Sequence, residues 1–347
     1  MLCHKRGCKQ RLVAVSSFTH LDLLMHHDLD QARRLLCRLQ DTIRESVRAA
    51  QQRSAKRMTR VAAVTTADTI YGIDKVSEHT VLAWFAKNWP KRWPVELVME
   101  GLEGAPVTFP RGTAVKRTLC KCILDPIDGT RGLMYDKRSA WSLAGLALQR
   151  GAKTNLGDIV VAAMTELTTS KAGFADQLSA VGGRGVRAER IDLRTGRRKK
   201  FFPRPSKARD LTHGFASFAK FFPPGKVWLA EREAELWRAL GDSPDVFDDQ
   251  YLSTGGQLYE LLMGHDRFVA DLRPLAFARL RLSSALACHS YDICTALIAR
   301  ELGCIVTAPD GKPLRGPLDT TSPVAWVGYA NPHLARSIGP KLRRLLR

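Results

Sequence analysis

The chain is predicted to adopt a mixed α/β (α+β) fold, on three observations. Apolar residues recur at spacings of three and four over Leu29, Ala32, Leu36, Leu39, Ile43, Val47 and Ala50, the pattern of a long amphipathic helix. Short apolar runs bounded by turn residues follow it, at 95–100, 123–124, 141–148 and 158–164, and read as strands. The C-terminal part then alternates the two kinds of pattern. With 347 residues, the chain can bury a sizeable core in one large domain or two apposed ones.

Residues 1–20 show no clear periodicity, and residues 1–28 are predicted to be an N-terminal arm. The first helix runs from Leu29 until its pattern fades near Lys56, with Arg and Gln on its outer face. A second helix is expected from about Ser77 to Trp89, with Val81, Leu82 and Phe85 inward and Pro90 beyond its end. Val95-Glu-Leu-Val-Met-Glu100 is a strand ending in a carboxylate. Trp141–Leu148 and Asp158–Met164 are further strands, and 180–185 is a glycine turn within more sheet.

Arg187 to Arg204 is the most basic window and reads as a solvated hairpin loop rather than a nucleic-acid patch. The prolines at 203 and 205 mark a boundary between an N-terminal half, 29–205, and a C-terminal half, 206–347. Beyond it, 254–264 is a glycine turn leading into a short helix, and Arg267–Asp271 is a strand. A helix is expected from Tyr291 to Gly303, strands at 304–307 and 325–330, and a final helix capped by Asn331-Pro332.

Composition narrows the function classes. A hydrophobic fraction of 45% is ordinary for a globular protein, and no apolar run is long enough to span a membrane, so no membrane partner is expected. The eight cysteines are scattered rather than regularly spaced, which fits a reducing, cytoplasmic setting. Lys and Arg number 54 against 34 Asp and Glu, a net +20 that attracts anions. The basic residues are spread along the whole chain, so compositional bias is the preferred reading. Nucleic acid would then bind weakly and without sequence preference.

The chemistry concentrates at Lys121-Cys-Ile-Leu-Asp-Pro-Ile-Asp-Gly-Thr130. The apolar run ends in Asp125, Pro126 is expected to stop the strand, and Asp128-Gly129 forms a turn. Two carboxylates three residues apart at a strand end suit a hard divalent cation such as Mg²⁺. The N–H groups after the glycine can receive phosphate oxygens. The same residues would also make an ordinary tight turn.

Asp125-Pro-Ile-Asp-Gly-Thr130 resembles the first signature of the inositol monophosphatase family, the Mg²⁺-dependent, lithium-sensitive phosphatases whose superfamily includes fructose-1,6-bisphosphatases and bisphosphate nucleotidases. Tyr291-Asp292-Ile-Cys-Thr-Ala resembles its second signature, with Tyr in place of the usual Trp. Asp74-Lys-Val-Ser-Glu78, Glu100, Gly255-Gly256, Asp310-Gly311 and Ala330-Asn331 follow in family order.

The resemblance implies a layered α/β/α/β/α sandwich with the active site between two halves. It implies that Glu100, Asp125 and the Ile127 carbonyl hold one Mg²⁺, and Asp125, Asp128 and Asp292 a second. A third is in question because Gly101 replaces a second acidic residue, giving two or three ions per site. Thr130, hydrogen-bonded to Asp74, would with Glu100 position and deprotonate a metal-bound water, while the Gly129 and Thr130 N–H groups hold the phosphate for direct in-line attack.

The implied substrate is a small phosphorylated metabolite: an inositol phosphate, a sugar phosphate or a 3′-phosphonucleotide. A homodimer is compatible with this reading. Residues 131–138 depart from the inositol phosphatase pattern and leave the substrate open. Two bland alternatives stand beside these assignments: Asp292 as a helix N-cap, and His289 as a packing or capping residue rather than a general acid. The rival for the whole chain is a catalytically impaired member acting as a basic anion- or nucleic-acid-binding protein.

Overall fold

The structure is a computed structural model. It describes residues 20–53, 61–64, 69–102, 104, 106–241, 245–282 and 286–347, with side chains from 28 to 52, at 75 and from 77 onward within those ranges. Helix α1 (His20–Arg53) is followed by a small antiparallel pair, β1 (Val61–Val64) and β2 (Thr69–Tyr71), and by α2 (Gly72–Asn88).

An eight-stranded sheet comes next, in the order β10-β9-β8-β7-β6-β5-β3-β4. Its strands are β3 (Val95–Met99), β4 (Val107–Phe109), β5 (Cys120–Asp128), β6 (Ala140–Leu148), β7 (Ile159–Leu167), β8 (Phe174–Val181), β9 (Val186–Asp192) and β10 (Arg198–Phe201). Only β3 and β5 pair in parallel in this sheet. A five-stranded mixed sheet, β12-β11-β13-β15-β14, is formed by β11 (Gly214–Phe218), β12 (Val246–Phe247), β13 (Asp266–Asp271), β14 (Ile305–Thr307) and β15 (Trp326–Tyr329). The remaining helices are α3 (Thr130–Met134), α4 (Lys226–Leu240), α5 (Thr254–Met263), α6 (Arg273–Leu280), α7 (Ala296–Glu301) and α8 (Pro332–Leu345).

The layers follow from which faces are apolar. α1 and α2 cover one face of the large sheet: α1 buries Leu36, Leu39, Ile43 and Val47 against β6, β7 and β8, and α2 packs on β5. Each such side chain contributes about 1.5–3 kcal/mol. α5 and α7 fill the space between the two sheets, and α4 and α8 cover the far side of the small one. β6 and β7 are therefore buried on both faces, which explains their nearly unbroken apolar runs. The result is the expected α/β/α/β/α sandwich.

Four local expectations are corrected. Helix α1 begins at His20, so residues 20–28 are helical rather than part of an arm; residues 1–19 lie outside the described ones. Gln40 on α1 is buried, not outward: its amide donates to the Ser142 and Ala163 carbonyls at 3.0 and 2.8 Å and accepts from the Thr165 hydroxyl. Pro126 does not end its strand. β5 runs on to Asp128 because pairing with β3 has already stopped at Leu124, and a bulge against β6 absorbs the missing N–H.

The expected helix from Tyr291 is the fourth correction. Residues 290–295 are a run of turns, and α7 starts only at Ala296. This segment packs tightly on β6 at Gly145, where a Cβ would stand 3.0 Å from the Cys294 carbonyl oxygen and 2.8 Å from Ile159 Cδ1.

Candidate functional site

The bulged end of β5 delivers two carboxylates to one cleft. Asp125 is 1% exposed, and its Oδ1 accepts the Ile127 N–H at 2.9 Å, which fixes the side chain across the turn. Asp128 is turned the other way, toward the N-terminus of α5. Its Oδ2 accepts the Ser253 hydroxyl at 2.8 Å and the Gly255 N–H, and the Thr254 N–H adds to them. A helix start is a natural seat for a carboxylate, since its first N–H groups have no partner within the helix. Gly255 is needed here for space. A Cβ would lie 2.7 Å from Leu143 Cδ2, 3.0 Å from Trp141 Cβ and 3.1 Å from Asp128 Oδ2.

Asp292 enters from the turn segment on the opposite side. One oxygen from each of Asp125, Asp128 and Asp292 lies within 4.8 Å of the other two. The Asp292 carboxylate accepts the His289 N–H at 2.6 Å, upstream of itself, while the N-cap position of α7 belongs to Thr295. The helix-cap reading of Asp292 is therefore not what its side chain does. Glu100 follows β3, lines the same cleft and reaches hydrogen-bonding range of Asp125.

The electrostatics follow from this crowding. Burial first, then Glu100, Asp128 and Asp292, push the Asp125 carboxyl well above the usual range. Burial also raises Asp128, to about 6, although Gly255, Ser253, Thr254 and Arg273 pull in the opposite direction. A buried carboxyl raised by three neighbouring carboxylates marks a site short of positive charge.

Thr130 opens α3, and its hydroxyl donates to the Ile127 carbonyl at 2.8 Å. Gly129, Thr130 and Ile127 line the cleft with the carboxylates. Asp74 lies in the first turn of α2, and its side chain is outside the described ones. His289 is buried and stacked on Tyr291, with their ring centroids 5.2 Å apart, and burial together with Arg273 lowers it to about 4. A neutral, packed imidazole is what the bland reading expected.

Sequence reasoning missed the wall facing the carboxylates. Ser253, Phe221, Phe222, Arg131 and Arg273 line it. The Arg273 guanidinium is buried, donates from Nε to Asp271 Oδ1 at 2.8 Å and to the Leu286 carbonyl at 2.8 Å, and lies 4.4 Å from the Phe221 ring centroid. The only signal in the sequence was an Asp-x-Arg spacing just after a strand, Asp271-Leu-Arg273.

Neither a family model nor a curated protein matches the sequence. Solved structures do match. Leishmania major fructose-1,6-bisphosphatase in holo form superposes with a TM-score of 0.65 over 94% of this chain and 98% of its own, at 13% identity. The chain has the inositol monophosphatase-like fold. The extragenic suppressor protein SuhB of Bartonella henselae matches at TM-score 0.59 over 90% and 97% of the two chains, with 17% identity. Staphylococcal IMPase-I complexed with products gives 0.59 over 90% and 95%, with 16% identity. In the inositol monophosphatase-like fold of this chain, the carboxylate cleft opens where β5 ends against α5, between the two sheets.

Proposed function

We propose that the chain is a Mg²⁺-dependent phosphomonoesterase acting on a small phosphorylated metabolite: an inositol phosphate, a sugar phosphate or a 3′-phosphonucleotide. The observation that carries this reading is the meeting of Asp125, Asp128 and Asp292 within 4.8 Å, from segments far apart in the chain. The donor set fits the ion. Its ligands are hard carboxylate oxygens, the donor type Mg²⁺ prefers. Two of the structural neighbours are described as a fructose-1,6-bisphosphatase and an inositol monophosphatase with products.

Asp125, Asp128 and Asp292 would hold one ion, and Glu100, Asp125 and the Ile127 carbonyl another. Metal bound there would neutralise phosphate oxygens, acidify a water and stabilise the leaving alkoxide. The protein's own groups do the rest. Glu100 would take the proton of the attacking water, while the Thr130 hydroxyl, turned from the Ile127 carbonyl toward Asp74, would orient that water in line. The Gly129 and Thr130 N–H groups hold the phosphate. Arg273 adds positive charge at the cleft, with three of its five N–H groups engaged by Asp271 and Leu286.

The test is a panel of phosphate esters from all three classes, assayed for phosphate release with Mg²⁺, with EDTA and with added Li⁺. Release that needs Mg²⁺ and is inhibited by Li⁺ supports the proposal. No release from any ester, with no Mg²⁺ binding, would favour the catalytically impaired binding protein instead.

A further inference from the structure

Away from the active-site cleft, α1 and the outer strands of the large sheet enclose a groove of about 590 Å³, within the size range of ligand sites. Its cationic side chains are Arg33, Arg34 and Arg38 of α1, Arg187 of β9, and Arg198 and Lys200 of β10. Their charge is only partly compensated. Asp30 alone faces Arg33 at 2.9 Å, Arg187 at 3.4 Å, and Arg34. Arg198 is met by Asp41 at 2.6 Å and Glu189 at 3.2 Å, and Asp41 is shared with Arg44. Arg38 and Lys200 are exposed and make no ion pair among the described residues.

An aromatic ring stands at the same groove. Phe202 follows the edge strand β10 and is 81% exposed. Its neighbour Phe201 is half-buried, with the Arg190 guanidinium 5.3 Å from its centroid. A concave basic track with a bare aromatic face is what binds a single nucleic-acid strand: cations follow the phosphates and a base stacks on the ring.

Other occupants fit less well. Residues 1–19 carry Lys5, Arg6, Lys9 and Arg11 and no acid, so they do not complement the groove. A second copy would present the same sign of charge. A duplex presents no unstacked base to Phe202, so it would meet the groove through its phosphates alone. Val186–Asp192 and Arg198–Phe201 are strands rather than a loop, and in place of the solvated-loop reading of 187–204 we infer that the groove between α1 and β10 binds single-stranded nucleic acid, with Phe202 as its stacking platform. This is independent of the phosphatase reading and uses none of its residues.

The test is fluorescence anisotropy on the full-length protein, with a labelled oligothymidine of about 12 nucleotides and a duplex of equal length. The single strand is expected to bind about ten-fold more tightly than the duplex. Phe202→Ala should cost about ten-fold in single-strand affinity without changing its salt dependence, and Phe202→Trp should keep it. Replacing Arg38 and Lys200 with Gln should lower the slope of log K against log salt by about 1.4. All three side chains are exposed, so an unchanged thermal midpoint confirms that the variants fold. Equal binding of strand and duplex, indifference to Phe202→Ala, or equally tight binding of a polyglutamate peptide would overturn the inference.

Discussion

The carboxylate cluster predicts an unusual reversal in stability. Asp125→Asn removes one negative charge from the most crowded position and keeps Oδ1 as an acceptor for the Ile127 N–H. Two like charges 4.8 Å apart repel by about 3.5 kcal/mol at an effective dielectric near 20. The wild type relieves part of this by protonating Asp125, so about 2 kcal/mol is the expected gain for the variant without metal.

In a chain of this length that raises the thermal midpoint by about 2–4 °C in EDTA near pH 8. The sign with pH follows. A carboxyl whose folded pKa is raised keeps its proton where the unfolded chain has lost it. The wild type therefore loses stability as pH rises above the unfolded value near 3.8. The difference from the variant should shrink toward acid pH.

Adding Mg²⁺ should invert the order. A ligand at a hundred times its dissociation constant stabilises by about 2.7 kcal/mol, and the wild type should gain far more of this than the variant. Calorimetric melts of both proteins in EDTA and in Mg²⁺ check the crossing. A variant less stable than wild type in EDTA, or both proteins raised equally by Mg²⁺, would refute the reasoning.

Other expectations come from the same contacts. Asp292→Asn should also raise the metal-free midpoint, by less than Asp125→Asn because Asp292 is the more exposed of the two, remove most activity and raise the Mg²⁺ concentration needed for the remainder; normal turnover at normal Mg²⁺ would exclude it as a ligand. Gly255→Ala forces a Cβ to within 2.7 Å of Leu143 and 3.1 Å of Asp128 Oδ2. It should cost about 1–3 kcal/mol in denaturant titration and also raise the Mg²⁺ requirement. Arg273→Met strands the fully buried Asp271 carboxylate and should cost about 3–5 kcal/mol. Adding Asp271→Leu should recover much of that stability, as a double-mutant cycle would show.

The legible part of this protein was its local chemistry. Asp125, Asp128 and Gly129 lie in one short stretch, so their turn could be read directly. Asp292 was placed beside them only through the resemblance, because nothing local joins it to β5. Ser253, Phe221, Phe222 and Arg273 reach the cleft through the packing of α5 and α6 and the chain before α4, which no periodicity encodes.

The misreadings have the same origin. Pro126 looked like a strand end because its missing N–H was weighed without knowing that the partner strand had already stopped. Tyr291-Asp292 looked like a helix start because small and apolar residues follow it, whereas the chain holds turns there to bring the carboxylate inward. Gln40 was assigned outward by polarity, though the strands beneath offer it buried carbonyls.

The central claim is that these carboxylates serve a metal that hydrolyses a phosphate ester. The most direct measurement is phosphate release by wild type and Asp125→Asn, on whichever ester the wild type cleaves best, across a Mg²⁺ titration. The account predicts saturable, Mg²⁺-dependent release by the wild type and almost none by the variant at any Mg²⁺ concentration. Release that persists in EDTA, or a variant with the wild-type Mg²⁺ profile, would contradict it.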